Sequence, residues 1–405
     1  MNFFNKLDIE WIKRRVGVLD YLLPMKFERR KEWVWKGIDE MNFDDIIEPN
    51  SRVVIAVPDI TRPVPTWDIL PRLINRLKKV GVSLEDLVII FATGTHKETD
   101  ETYVMKVFSK LSVKPRYIIH NDEDKGHVYL GDTRYGTPVE VDGQFLDADV
   151  RITIGGVQPH PWAGFSGGAK MVLPGLSSTR TVSTHHVKWV GKPGVRPGNI
   201  VNNPFREDIE EAGRMADVTC SLEIVLDTNY NIVYSAGGPM DKAFQESVKV
   251  SSKVYLRSIE KLYDVVIANA SPQDVNFYQA TKALQHAFNA VKPGGTLILF
   301  TESRLGVGTP TFKEFMNIPH EDVVEAVTSR RAPNLVPALV RLDLDKVLEQ
   351  VNLYIATANT QLIREVPWLS YLTRVESVKE VIKHIKPERV AVMPKAAITV
   401  PSLHH

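Results

Sequence analysis

With 405 residues, 43 % of them hydrophobic, and a formal net charge of +1, the chain has the composition of a globular protein with apolar material for two domains, which argues against disorder or coiled coil. The near-neutral balance and the lack of a long basic block, the densest N-terminal cluster being Arg29, Arg30 and Lys31, leave no electrostatic footprint for nucleic acid or a membrane surface. A single cysteine, Cys220, makes no internal disulfide, and no N-terminal apolar run has signal-peptide or membrane-spanning length, so a reducing, cytoplasmic setting is expected.

The first fifty residues, with Trp11, Trp33 and Trp35 on mixed helical patterns, carry no recognisable chemistry. From Arg52 onward short β-branched runs alternate with helical patterns: Val53 to Val57, then Ile69, Leu70, Leu73, Ile74 and Leu77, then Leu87 to Phe91. Lys79-Val80-Gly81 stops the first of these helices. Val218 to Leu226 and Asn231 to Tyr234 read as a hairpin turning at Asp227 to Asn229, closing a first domain near Leu256. Val265 to Ala268, Thr296 to Phe300 and Leu353 to Ala356 form a second strand series, with the Pro293-Gly294-Gly295 turn before its middle member. Val390 to Met393 and Ile398 to Val400, bracketed by prolines, are expected to return to the first domain. The expectation is an α/β fold of two α/β domains with mainly parallel sheets: residues 1–256, joined by 388–405, and residues 257–387. The final His404 and His405 resemble the remnant of an expression tag and are given no functional weight.

Four short motifs carry chemistry. Asp59-Ile60-Thr61-Arg62-Pro63 follows the strand Val53 to Val57, at the carboxyl end where α/β folds bind ligands. Arg62 offers a planar fork of donors to a carboxylate or phosphate, and Asp59 can hold a ribose hydroxyl or orient the arginine; a helix N-cap by Thr61 or Asp59 is the plain alternative. Ala92-Thr93-Gly94-Thr95-His96-Lys97 ends the next strand, so Arg62 and His96 can face one ligand if the two strands are neighbours. The third motif runs from His160 through Pro161-Trp162-Ala163-Gly164-Phe165-Ser166-Gly167-Gly168-Ala169 to Lys170. A Walker A loop needs glycine before the lysine and Ser or Thr after it, and Ala169 and Met171 stand there instead. What remains is a loop whose glycines can bring backbone amides close to a phosphate, ending in a lysine that can be cation or nucleophile, or else an ordinary turn with a surface lysine. The fourth is His185-His186, of which one at most is expected to reach a given site. One imidazole is too few for a protein-only metal site, so any metal there needs ligands from elsewhere.

Together and in this order, these motifs resemble the nickel-pincer-nucleotide lactate racemase family, the LarA-like proteins, over most of the chain from about Arg52. The resemblance implies an active site in the cleft between the domains, a nickel-pincer nucleotide (a pyridinium mononucleotide with sulfur ligands to nickel) joined covalently to Lys170, and His186 completing the nickel coordination. It implies His96 and His160 as the acid/base pair and Arg62 as the holder of the substrate carboxylate. Ser271-Pro272-Gln273-Asp274 and Tyr278-Gln279-Ala280-Thr281-Lys282 resemble the segment whose glutamine and lysine, here Gln279 and Lys282, reach the active site. Asp59, Thr61, Ser166, Gly167, Gly168 and Tyr278 are expected around the cofactor. The implied reaction is inversion of a 2-hydroxy acid by hydride transfer, with a base on each side of the substrate; the implied partners are that small acid and the cofactor-synthesis enzymes. A non-catalytic carrier of the cofactor is the alternative. A dehydrogenase with free nicotinamide is not, since no Gly-x-Gly-x-x-Gly occurs. Two departures are Lys97, where the family more often has arginine, and the first fifty residues, which lack the usual N-terminal strand.

Overall fold

The computed structural model describes residues 3–330 and 332–403, so the terminal histidines lie outside the described residues. Twelve strands make two six-stranded sheets: β1 (Val18–Tyr21), β2 (Val53–Pro58), β3 (Leu87–Ala92), β4 (Arg116–Ile119), β5 (Val150–Gly156), β6 (Cys220–Leu226), β7 (Ile232–Gly238), β8 (Tyr263–Asn269), β9 (Val291–Phe300), β10 (Asn352–Ala356), β11 (Tyr371–Leu372) and β12 (Arg389–Met393). Five helices matter below: α1 (Thr66–Lys79), α2 (Thr179–Trp189), α3 (Pro204–Met215), α4 (Met240–Tyr255) and α5 (Phe277–Phe288).

The chain divides into two compact units, one of Lys26–Gln158 and Trp162–Val254, the other of the residues up to Met25, Pro159–Pro161 and those from Tyr255 onward. In the 26–254 unit the sheet order is β7-β6-β5-β2-β3-β4, parallel except for the β6–β7 hairpin. That hairpin turns at Asp227, whose Oδ1 accepts the amides of Asn229 and Asn231, as the sequence indicates. Strand β2 is buried along its whole length, the pattern of a parallel strand covered on both faces. Helix α1 buries Ile69, Leu70, Leu73, Ile74 and Leu77 and ends where the Val80 and Gly81 amides turn back onto Leu77 and Lys78. From β2 the chain runs outward to β3 and β4, then returns to place β5 on the other side of β2. This reversal creates a switch point, and the loops leaving β2 and β5 open beside it.

The other unit has the fully parallel order β1-β12-β8-β9-β10-β11. The turn expected at Pro293-Gly294-Gly295 is a bulge inside β9, whose register on β8 skips from Tyr263↔Val291 to Val265↔Thr296. The domain expectation needs correcting at both ends. The run Val390 to Met393 does not return to the first domain: β12 pairs with β1 and β8, and Val400–Leu403 pairs with Leu256–Ile259. The first twenty-five residues likewise belong to this unit, because β1 finds its partner in β12. No helix among the described residues is long and apolar enough to cross a membrane.

Candidate active site

Strands β2 and β3 are adjacent and parallel, in register from Val53↔Leu87 to Pro58↔Ala92, so the first two motifs emerge side by side. His96 Nδ1 lies 2.6 Å from Asp59 Oδ2. A carboxylate only accepts, so Nδ1 carries the proton and Nε2 keeps the lone pair, the tautomer of a base. The other Asp59 oxygen accepts the Thr61 amide (2.8 Å) and hydroxyl (2.5 Å), and Thr61 Oγ1 accepts Nη1 of half-buried Arg62 (2.8 Å). Burial alone would raise the Asp59 pKa; the His96 and Arg62 charges and the Thr61 hydroxyl outweigh it and hold it at about 2. Asp59 and Thr61 were expected to hold cofactor or arginine or to cap a helix. Both carboxylate oxygens are engaged by protein donors that fix His96, Thr61 carries Arg62, and the cap alternative falls because α1 begins only at Thr66 without a side-chain cap.

The third motif leaves β5. Ser166, expected to meet the cofactor, donates its hydroxyl to the Gly156 carbonyl (2.5 Å) and accepts the Gln158 amide (3.1 Å), pinning the loop to its own strand. Gly167 and Gly168 have φ of +83° and +58°, and their neighbours explain them: a Cβ on Gly167 would lie 2.4 Å from Glu223 Oε2, and one on Gly168 2.6 Å from Arg206 Nη2. These glycines therefore admit two buried protein side chains close to the loop backbone. Arg206, on α3, donates Nη1 to the carbonyls of Phe165 (3.2 Å) and Gly167 (3.1 Å), pairs with Glu210 and stacks over Phe244. Burial raises the pKa of Glu223, on β6, and its Oε1 accepts the Ser221 hydroxyl. Neither Arg206 nor Glu223 stands out in sequence, where Arg206 and Glu210 look like a solvated i,i+4 pair.

The loop ends in the single turn Gly168–Met171, which presents a buried Lys170, its ammonium 5.9 Å from the Phe205 ring centroid. Gly175 ties this segment to the His96 loop: its amide donates to Lys170 O (3.1 Å) and its carbonyl accepts the Gly94 amide (2.9 Å). The two histidines of α2 are both buried and differ in role. His185 Nε2 donates to Phe205 O (2.9 Å), a structural anchor. His186 Nδ1 donates to Val182 O (2.8 Å), which leaves Nε2 as the nitrogen with a lone pair, and Trp162 and Phe205 pack edge-on against its ring. Burial, then the nearby Lys170 charge among lesser causes, keeps both imidazoles neutral, His185 at about 4 and His186 well below its usual value. Among the described residues no three His, Cys, Asp or Glu side chains gather into a metal site.

In the other unit, His160 sits half-buried in the short strand Pro159–His160. Asn276 caps α5 by accepting the Gln279 amide (2.9 Å), and Lys282, one turn on, donates to Gln279 Oε1 (2.6 Å), so the expected glutamine and lysine form one polar unit. Tyr278 packs its ring on Phe312, with centroids 4.9 Å apart. A further turn along, buried His286 donates Nδ1 to Ala396 O (3.0 Å) and is held at about 4, by burial first and then by the Lys282 charge among lesser causes.

Residues 27–198 match the family model described as the lactate racemase N-terminal domain. Lactate racemase from Lactiplantibacillus plantarum is 32% identical over 292 residues, covering 70% of this chain and 68% of its own. Lactate racemase from Thermoanaerobacterium thermosaccharolyticum is 28% identical over 306 residues, covering 74% and 72%. The solved lactate racemase apoprotein from the latter organism superposes with a TM-score of 0.85 at 23% identity, over 96% of each chain, a likeness of fold.

Proposed function

The chain belongs to the lactate racemase family, and from that premise we propose that it inverts the stereocentre of a small aliphatic or acidic 2-hydroxy acid, using a nickel-pincer nucleotide held on Lys170. The Asp59–His96 pair beside Arg62 carries this assignment: an oriented base and a carboxylate-binding fork on neighbouring loops are what such a substrate requires. A non-catalytic carrier would have no use for an aspartate committed to orienting an imidazole.

The donor set fits the cofactor. A buried amine at Lys170 would hold it covalently, and the His186 Nε2 lone pair, in an imidazole kept neutral by burial, would be the protein's ligand to nickel. When bound, that group supplies a hydride acceptor for the substrate carbon. Arg62 binds the carboxylate, its plane fixed by Thr61. His96 Nε2 takes the hydroxyl proton, and ionised Asp59 stabilises the imidazolium that results. The opposite enantiomer carries its hydroxyl on the other side and needs a second base, the role given to His160. Gln279 and Lys282, joined Nζ to Oε1, would offer donors to a substrate oxygen, the role the resemblance gives them.

The test is co-production with the family's cofactor-synthesis enzymes, followed by intact mass, nickel content and peptide mapping around Lys170. The loaded protein is then given single enantiomers of lactate, longer and acidic 2-hydroxy acids and sugar acids. Lys170 carrying the adduct with nickel, and either enantiomer of a small acid relaxing to the racemate, is the expected outcome. An unmodified, nickel-free Lys170 would overturn the cofactor assignment, and inversion of sugar acids alone would overturn the substrate class.

A further inference from the structure

Lys97 follows the base His96, and its ammonium is fastened to another part of the fold. Nζ donates to Asp122 Oδ1 (2.5 Å) and Asn121 Oδ1 (3.2 Å), with Glu123 Oε1 at 3.9 Å. The lysine side chain is 57% exposed, but that of Asp122 is only 2% exposed. The second Asp122 oxygen accepts the Thr179 hydroxyl (2.5 Å), and the Asp122 carbonyl accepts the Thr179 amide (2.9 Å). Thr179 is the first residue of α2, the helix that carries His186. Just before, the His120 carbonyl accepts the Thr93 hydroxyl (2.8 Å), so the segment leaving β4 grips the His96 loop at two points and the start of α2 at one residue.

An ordinary surface ion pair contributes little and would need no buried carboxylate. This carboxylate is shared between two elements, one bearing the base and the other the metal-ligating histidine. We propose that Lys97, Asp122 and Thr179 are positioning residues: a clasp that sets the spacing between His96 and His186. The proposal rests on the roles given to those histidines above. Its logic is that misplacing a reacting group by about 1 Å can lower the rate on the order of 10²-fold.

The experiment uses the full-length chain as wild type, Lys97→Met, Lys97→Arg, Thr179→Val and the Lys97→Met/Thr179→Val pair. The first readout needs no cofactor: the rate at which diethyl pyrocarbonate modifies His96, resolved by peptide mass spectrometry, with buried His120 as the folding control. Lys97→Met is expected to speed modification of His96 roughly five- to tenfold through looser local closure, with Lys97→Arg near wild type and His120 unchanged. On loaded enzyme, Lys97→Met is expected to lower kcat roughly 10²-fold with KM, nickel and the Lys170 adduct kept, and Lys97→Arg to restore it. The double variant should be little worse than its worse single, because both arms act through Asp122. Wild-type modification rate and kcat in Lys97→Met would overturn the clasp, as would equal impairment in Lys97→Arg or a loss that only tracks the melting temperature. If loaded wild-type protein inverts no 2-hydroxy acid, the functional reading fails, while the modification rates still decide whether the clasp holds His96.

Discussion

Asp59 works by staying an anion. With its pKa held at about 2 by His96, Arg62 and Thr61 against burial, it is ionised at neutral pH, so His96 has an acceptor there for its Nδ1 proton. The stability this brings is complete above the unfolded carboxyl pKa of about 3.9 and is lost as pH falls toward 2. Asp59→Asn keeps the shape but no longer selects the tautomer with Nε2 free. Chiral chromatography on loaded Asp59→Asn protein should show kcat lowered roughly 10²–10⁴-fold with nickel and adduct retained. The sequence offered Asp59 as a ribose or arginine partner because nothing local signals its true neighbour, which lies 37 residues away across a strand pair. Strand order, not motif, brings them together.

Elements decide which member of a motif is functional. Adjacent histidines on α2 look equivalent in sequence; in the helix one ring closes on the Phe205 carbonyl and the other on its own preceding turn. His186→Ala is therefore expected to abolish nickel retention in loaded protein, whereas His185→Gln should keep nickel and lower the melting temperature; metal analysis and calorimetry separate the two. The glycine loop was visible as a loop, but the reason for its glycines was not, since Arg206 and Glu223 arrive from α3 and β6. Arg206→Met removes the guanidinium that pairs with Glu210 and donates to the Phe165 and Gly167 carbonyls, the latter keeping only the Lys170 amide. Urea unfolding should show a loss on the order of 3–5 kcal/mol, the scale for breaking a buried pair. The alternating strands were legible because buried parallel strands are apolar runs; β4, the short Arg116–Ile119, and β1 were missed because each is too brief to show a period.

At the scale of the molecule, buried neutral imidazoles make the fold acid-sensitive. His286 is held at about 4, so the folded state resists a proton that the unfolded chain accepts near 6.5; stability is full above that value and declines as pH falls from about 6.5 to 4, by about 3 kcal/mol in all. His286→Gln should flatten that part of the curve in urea titrations between pH 7 and 4.5, and an unchanged slope would refute this account. The domain expectation failed at the chain ends for a related reason of scale: parallel pairing leaves no local trace, and the register partner of Val18 is Arg389.

That pairing also sets an order of events during synthesis. The 26–254 unit draws no strand of its sheet from beyond Gly238, so it can close while the ribosome is still at work. The other sheet is missing an interior strand, β12, until Arg389–Met393 emerge, so β1 waits with an open edge while everything from β2 to β11 is made. A nascent chain stalled before Arg389 would thus carry one finished unit and two orphaned strand edges, open to pairing with another chain.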